Sequence, residues 1–355
     1  YNFSEPFKVN LKVSWMFNWG DRTITLKSGK KYVQEHYWSH LFAKIVLGIY
    51  TACLILIFYY SCIQMTLAIA YVRNHKKRKL EEIPLFDSKN APKVTIQLPM
   101  YNEMYVAERI IESAAAFDYP RDKFQIQVLD DSTDETKDII AAKVAELAAT
   151  GLNIQHIHRI DRTGYKAGAL DDAMDKVEGE FIAIFDADFV PEKDFLTRTI
   201  PYFKEGIGVV QTRWGHLNKT YSLLTELQAF GLNGHFAIEQ QGRNSTGHFI
   251  NFNGTAGIWR KKCIEDAGGW EHDTITEDLD LSYRAQMRGW KFTYLEDVES
   301  PAELPITMSA LKSQQHRWMK GGAECFIKMR GKLLTHPGVR FSDRVHGMAH
   351  LFNSS

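Results

Sequence analysis

The chain has 355 residues, of which 45% are hydrophobic and 24% are charged, and its formal net charge is zero. This length suffices for one large α/β domain with extra segments, and the composition excludes an intrinsically disordered protein. A chain without a basic excess is not expected to bind nucleic acid. Its four cysteines form no CxxC pair and no zinc-ligand spacing, which favours a reducing compartment without disulfides.

An uncharged segment from Ile45 to Val72 is the first distinctive feature along the chain. It exceeds the about 20 residues that a membrane-spanning helix needs, and buried core helices are rarely uncharged on every face for so long. Basic residues between Arg73 and Lys79 favour a cytoplasmic flank. Charge alone leaves the orientation open, because the lysines at positions 27, 30, 31 and 44 flank the other end. We expect a transmembrane helix with this flank over residues 41–80. The aromatic-rich residues 1–40 are expected to lie at the membrane interface, with a small hairpin over Thr23–Val33.

Alternating strands and helices follow a charged linker. The predicted strands are 94–98, 124–128, 153–158, 181–185 and 208–212, and the predicted helices are 106–117, 135–149 and 192–204. This alternation indicates an α/β fold with a doubly wound, mostly parallel sheet, which we expect over residues 81–322.

The remaining residues, 323–355, begin with a mixture of apolar and basic side chains over Ala323–Lys332. The mixture predicts a basic amphipathic helix on a membrane surface or on the flank of the α/β domain. An ordinary solvated helix face explains the same pattern equally well.

Four polar clusters accompany the predicted strands: Pro99–Glu103, Asp130–Thr133, Gly164–Gly168 and Asp186–Asp188. Any one of them is explained by helix capping or by a turn. Together they predict a ligand site, because ligands of open α/β sheets bind beyond the carboxyl ends of the strands.

The sequence Asp186-Ala187-Asp188 follows the most apolar predicted strand. Its two carboxylates point to the same side of an extended chain and repel each other unless a cation lies between them. A hard divalent ion with oxygen ligands, Mg²⁺ or Mn²⁺, suits them and brings substrate phosphates as further ligands. Haloacid-dehalogenase phosphatases also carry DxD, but theirs opens the domain, whereas this one follows several strand–helix units.

Two later motifs also have a functional and a structural interpretation. Thr276-Glu277-Asp278 opens a predicted helix, and a Thr cap followed by acidic residues is ordinary helix design. A helix N-terminus is expected to lower the pKa of Asp278. In Gln314-Gln315-His316-Arg317-Trp318, the arginine suits a diphosphate and the indole suits a sugar ring, although a surface helix with one buried tryptophan is the alternative.

Seven motifs between Pro92 and Gly322 resemble those of family 2 glycosyltransferases of the processive, cellulose-synthase-like type. In chain order they are PMYNE, DDST, GYKAGAL, FDADF, FNGTAG, TED and QQHRW. The motifs are most similar to the branch with plant glucomannan 4-β-mannosyltransferases, xyloglucan-backbone glucan synthases and bacterial relatives. The resemblance implies a GT-A fold, a divalent metal, an inverting mechanism and cytoplasmic catalysis at a plasma, inner or Golgi membrane.

The resemblance also implies a role for each matching residue. Asp278 is the expected general base, and Asp186 and Asp188 are the expected metal ligands. The expected donor-binding residues are Tyr101, Glu103, Asp131, Lys166, Gln314 and Arg317. The expected acceptor-binding residues are Phe252, Asn253, Gly254, Thr255, Glu277 and Trp318.

Three functions stay open at this stage. The first is transfer of a hexose from UDP-glucose or GDP-mannose to a growing β-linked polysaccharide. The second is glycosylation of a membrane lipid, and the third is an inactive nucleotide-sugar-binding scaffold. Synthases of this type carry further transmembrane helices after the QxxRW motif, and this sequence stops at Ser355. We therefore expect a fragment of a longer multi-span protein or a short form.

Overall fold

The structure is a computed structural model that describes residues 8–9, 24–25, 37–78 and 85–353. The chain forms two compact units, Tyr1–Tyr59 and Tyr60–Ser355. In the first unit, β1 (Lys8–Val9) pairs antiparallel with β2 (Ile24–Thr25). The hairpin and the interfacial segment predicted before residue 41 lie almost entirely outside the described residues.

The predicted transmembrane segment forms part of one long helix, α1 (Tyr37–Arg78). Leu41–Asn74 is long and apolar enough to cross a membrane, with a mean hydropathy of 2.4. The part of α1 in the second unit packs against the α/β domain, because Ile63 and Leu67 are buried and Gln64 donates a hydrogen bond to Glu239 at 2.8 Å. The uncharged segment is therefore confirmed as a candidate membrane span.

The described residues of the second unit form a seven-stranded sheet in the order β5-β4-β3-β6-β8-β7-β9. The strands are β3 (Val94–Met100), β4 (Phe124–Asp130), β5 (Ile154–His158), β6 (Phe181–Ile184), β7 (Ile207–His216), β8 (Gly257–Arg260) and β9 (Lys291–Ala302). β8 pairs antiparallel with both neighbours, and the other pairs are parallel. The predicted mostly parallel sheet is confirmed.

Helices cover both faces of the sheet. They are α2 (Ala107–Ala115), α3 (Thr136–Ala149), α4 (Tyr165–Ala173), α5 (Phe195–Thr199), α6 (Leu223–Gly234), α7 (Gln241–Thr246), α8 (Lys261–Asp266), α9 (Glu277–Met287), α10 (Met308–Thr335) and α11 (Phe341–Asn353). Ile110 and Ile140 are fully buried in the core of one face, and Leu170 and Ile264 lie in the core of the other. This double cover explains why β3, β4 and β6 carry so few exposed side chains.

Some predicted boundaries differ from the structure. The helix predicted over 192–204 is only α5 followed by a 3₁₀ turn over Ile200–Tyr202, because Pro201 has no N–H to continue an α-helix. The prediction at 208–212 covers only part of β7, and β8 and β9 were not predicted.

The segment predicted as a C-terminal amphipathic helix belongs to α10, which runs without a break through the expected domain boundary at 322. Cys325, Met329 and Leu333 are fully buried and pack against Leu279 and Tyr283 of α9. This apolar stripe therefore lies on the flank of the domain.

Candidate active site

The ends of β3 and β4 hold an aromatic ring beside a carboxylate. Asp131 is buried and accepts two hydrogen bonds from the Arg159 guanidinium, at 2.8 and 2.7 Å. The Arg162 guanidinium stacks 3.3 Å above the centre of the Tyr101 ring, which is 39% exposed. A flat aromatic ring beside polar groups is the arrangement that a nucleobase requires.

Lys166, at the start of α4, connects this region to the end of β6. Its ammonium forms an ion pair with Asp186 and donates a hydrogen bond to the carbonyl of Gly254 at 2.8 Å. Burial opposes the charge of Lys166, but the carboxylates of Asp186 and Glu277 outweigh it and raise its pKa above the ordinary value. Lys166 is therefore a permanent cation at the centre of the cleft.

The acidic residues at the end of β6 suit a divalent cation. Burial, Asp186 and Glu103 raise the pKa of Asp188 to about 7. Burial and the charge of Asp186 also raise the pKa of Glu103. Carboxylates crowded in this way are stabilised by a hard cation between them, so the donor set fits Mg²⁺ or Mn²⁺.

The loop Phe252–Thr255 is held in one conformation by hydrogen bonds. Its amides at Phe252 and Asn253 donate to Ser282 Oγ (2.9 Å) and Gln211 Oε1 (3.0 Å), and Thr255 Oγ1 accepts from the amide of Asp186 at 2.9 Å. Gly254 has φ of +77°, a conformation that favours glycine. A side chain at Gly254 would meet Asp278 Oδ2 at 3.1 Å, so this loop lies directly against the expected base.

Asp278 lies in the first turn of α9, as predicted, but its pKa does not follow from that position. Burial and the neighbouring charge of Glu277 raise the pKa of Asp278 to about 7. Its Oδ1 accepts a hydrogen bond from the amide of Leu279 at 2.8 Å, and this interaction is outweighed. The helix N-terminus does lower this pKa through the amide of Leu279, but the expectation of a low pKa, and so of a weak base, is wrong, because desolvation and a like charge dominate.

The interpretation of Thr276 as an ordinary helix cap is not what the fold shows. The Thr276 hydroxyl lies 3.3 Å from Cys325 Sγ of α10 instead of capping α9. A side chain at Gly321 would meet Thr276 Cγ2 at 2.4 Å, so α10 passes very close to the TED segment. Glu324 Oε2 also accepts a hydrogen bond from the amide of Ile275 at 2.8 Å. These contacts hold the part of α10 that follows QQHRW against the TED segment.

Trp318 lies one turn before Gly321 on α10. Its ring is half-buried, with its centre 6.2 Å from that of Trp214 on β7. Gln314 and Arg317 lie on the same helix, and Arg317 is exposed. Trp318 therefore belongs to an aromatic cluster, and part of its ring stays available to a ligand.

The fold thus links four of the predicted residues, Asp131, Lys166, Gly254 and Asp278, through a series of contacts. The chain runs from Asp131 through Arg159 to the carbonyl of Tyr165 (2.9 Å), and from Lys166 through Gly254 to Asp278. Sequence reasoning missed Arg159 and Arg162. Their signal is a pair of arginines three positions apart, between a strand end and the GYKAGAL turn. The individual roles remain predictions.

A model of the family described as "Glycosyltransferase like family 2" matches residues 92–321. Glucomannan 4-beta-mannosyltransferase 9 of Arabidopsis thaliana is 44% identical over 267 residues, 74% of this chain and 50% of the relative. Probable glucomannan 4-beta-mannosyltransferase 11 of Oryza sativa subsp. japonica is 46% identical over 261 residues, 72% of this chain and 46% of the relative. The chain spans about half the length of these relatives.

Among solved structures, the mannosyltransferase PcManGT from Pyrobaculum calidifontis, in complex with GDP-Man and Mn²⁺, superposes with a TM-score of 0.62. It is 22% identical, and the match covers 84% of this chain and 80% of that one. S. aureus TarS 1–349 in complex with UDP-GlcNAc gives a TM-score of 0.51 at 16% identity, covering 74% and 72% of the two chains. With the family model and the curated relatives, the fold establishes that this chain belongs to glycosyltransferase family 2, as a member of its cellulose-synthase-like branch.

Proposed function

We propose that this chain carries the catalytic domain of an inverting, membrane-bound mannosyltransferase that extends a β-linked polysaccharide from GDP-mannose. The observation that carries the proposal is the contact between Asp278, Gly254 and Lys166. This contact puts the Asp278 carboxylate, whose pKa is raised, beside the loop at Gly254. The carbonyl of Gly254 also accepts a hydrogen bond from Lys166, which forms the ion pair with Asp186. One such base is sufficient for a single inverting displacement.

The proposed donor end uses the residues near β3 and β4. The nucleobase stacks on the face of the Tyr101 ring opposite Arg162, and Asp131 accepts hydrogen bonds from the base or the ribose. Asp186 and Asp188 hold a divalent cation, which when bound offsets negative charge on the leaving diphosphate. Lys166 and Arg317 stabilise the same charge through hydrogen bonds.

The proposed acceptor end lies between Asp278 and Trp318. The acceptor sugar stacks on the indole, beside the loop Phe252–Thr255, with Glu277 close to it. Asp278 removes the proton from the attacking hydroxyl, and a base with a pKa near the working pH is efficient in that role. The close approach of Gly321 to Thr276 holds α10, which carries the indole, against the segment that precedes Asp278.

The choice of mannose rests on the names of the relatives, which are glucomannan 4-beta-mannosyltransferases at 44–46% identity. The solved mannosyltransferase with GDP-Man and Mn²⁺ supports the same donor and metal. The candidate span Leu41–Asn74 supports a membrane location. A catalytic domain in the cytoplasm is proposed from the resemblance to processive family 2 synthases. Polysaccharide is proposed over lipid because the relatives are named for a polysaccharide.

The test is a donor panel on the full chain in nanodiscs. Radiolabelled GDP-mannose, UDP-glucose and UDP-GlcNAc are supplied with Mn²⁺ and β-1,4-mannan oligosaccharides. We expect incorporation from GDP-mannose into polymer that endo-β-mannanase degrades. Preferential use of UDP-glucose would contradict the donor, and label found only in the lipid extract would contradict the acceptor. Asp297→Asn, an exposed acid on β9, is the matched control for the catalytic variants below.

A further inference from the structure

A second group of metal-ligating side chains lies outside the cleft, at the edge of the sheet where β4 pairs with β5. Asp130 is in register with His158, and Val128 is in register with His156. Because side chains alternate along a strand, both imidazoles lie on the same face as the carboxylate of Asp130. β5 is the terminal strand of the sheet, so this group is close to solvent.

The two histidines converge on one atom. His156 Nε2 lies 2.8 Å and His158 Nδ1 lies 3.0 Å from Oδ2 of Asp130. The other oxygen, Oδ1, accepts a hydrogen bond from the amide of Ser132 at 2.8 Å. Asp130 is completely buried, whereas the side chain of His158 is 34% exposed. The group thus has a fixed, buried carboxylate and an opening to solvent on the histidine side.

We propose that Asp130, His156 and His158 form a binding site for a divalent transition-metal ion of the Zn²⁺ class. Their ligand atoms all lie within 4.8 Å of one another. Tetrahedral zinc with nitrogen and oxygen ligands at about 2.0–2.1 Å separates those atoms by about 3.3 Å. The two distances between Asp130 Oδ2 and the imidazole nitrogens, 2.8 and 3.0 Å, reach this value if they lengthen by about 0.3–0.5 Å. Water from the exposed side completes the coordination.

The ligand set distinguishes this site from the acidic pair Asp186 and Asp188. Two imidazoles with one carboxylate favour Zn²⁺, Co²⁺ or Ni²⁺, whereas an oxygen-only site favours Mg²⁺ or Mn²⁺. In a chain with both sites, Mg²⁺ can therefore be bound at the acidic pair while Zn²⁺ is bound at the histidine group. The proposal is independent of the proposed function, since it depends on neither the donor nor the acceptor.

Another acidic group, which consists of Glu271, Asp273 and Asp280, is unsuitable for a metal ion. Lys328 Nζ already lies among these carboxylates, at 2.6, 2.5 and 2.8 Å. A protein cation there supplies the charge that a metal would supply. The histidine group contains no such ammonium among the residues that the structure describes.

A metal at this position would join β4 to β5. Its ligands Asp130 and His158 directly precede Asp131 and Arg159 in the chain. That pair forms two hydrogen bonds next to the expected nucleobase position. The ion would thus fix the terminal strand that carries Arg159. We expect it to stabilise the folded state, because a ligand that binds only the folded chain raises the unfolding temperature.

The experiment uses the full chain in nanodiscs with saturating Mg²⁺, so that the oxygen-only site is filled. Zn²⁺ is titrated by calorimetry, and Co²⁺ is followed by its visible absorption. In His156→Gln and His158→Gln, glutamine keeps an N–H donor for Asp130 but removes the imidazole nitrogen. His336→Gln, outside both clusters, is the control.

We expect Zn²⁺ to raise the unfolding temperature of the wild type and of the control. Each of the two histidine variants should weaken Zn²⁺ binding at least tenfold and change the Co²⁺ spectrum. Unchanged Zn²⁺ affinity and an unchanged Co²⁺ spectrum in the double variant would overturn the proposal. His158→Gln alone decides the question if changes at the less exposed His156 impair folding.

Discussion

At the scale of single residues, the proposed chemistry depends on the carboxylate of Asp278. One oxygen accepts a hydrogen bond from the amide of Leu279, and the other lies against Gly254. Glu277 adds a second negative charge, while Lys166 adds a positive one. The residue is therefore held in place, and the electrostatics around it set its basicity.

Asp278→Asn keeps the size and the hydrogen-bond acceptor of the side chain but cannot take up a proton. We expect turnover to fall by about 10²–10⁴-fold, the usual contribution of a general base. Binding of GDP-mannose, measured by calorimetry, should change little. Asp297→Asn should keep full turnover. Near-normal turnover of Asp278→Asn would show that the base lies elsewhere.

The pKa of Asp278 gives a pH dependence with a definite sign. Because burial and Glu277 raise this pKa to about 7, the base is increasingly protonated as the pH falls below 7. We expect kcat/KM at saturating Mn²⁺ to decrease about tenfold for each pH unit below pH 7. The residual activity of Asp278→Asn should lack this decrease. A profile that stays flat down to pH 5 would argue against the role of Asp278.

At the scale of elements, the contact between α10 and the TED segment is expected to align the two ends of the proposed acceptor site. Gly321→Ala introduces a methyl group 2.4 Å from Thr276 Cγ2. We expect a loss of about 1–3 kcal/mol in the free energy of unfolding, together with reduced transfer, because α10 must move away. Thermal unfolding and transfer assays on the same preparation measure both effects.

Gly331 on the same helix supplies the matched control. A methyl group there meets nothing within 4 Å, so Gly331→Ala should stabilise the helix by up to about 1 kcal/mol and leave transfer unchanged. Equal behaviour of the two variants would show that the close approach of α10 is unimportant.

At the scale of the whole molecule, the cation proposed at Asp186 and Asp188 is expected to serve the chemistry and not the fold, unlike the ion proposed at the histidine group. The sheet edge that carries Asp186 and Asp188 is built by buried strands and by the ion pair with Lys166. Excess chelator, like Asp188→Asn, should therefore abolish turnover while the far-ultraviolet circular dichroism stays the same. Turnover that persists in chelator would contradict the assignment of these two acids.

The membrane helix and the α/β domain are also joined within the second unit. A side chain at Gly242 of α7 would meet the carbonyl oxygen of Leu67 at 2.8 Å, which leaves room only for glycine. Gln64 and Glu239 form a hydrogen bond beside this contact. The last turns of α1 therefore pack against the α/β domain.

The sequence by itself determined the elements whose signal is local: the uncharged run of α1, the strands β3 to β6, and the polar clusters at their ends. The short strand β8 and the long edge strand β9 escaped prediction, because strand pairing depends on residues far away in the chain. Only the tertiary structure showed that Arg159 pairs with Asp131, that α10 contacts Thr276, and that Asp278 has a raised pKa. The physical reason is that burial and neighbouring charges, which set a pKa, are properties of the packed fold, whereas a helix N-terminus can be recognised from consecutive residues.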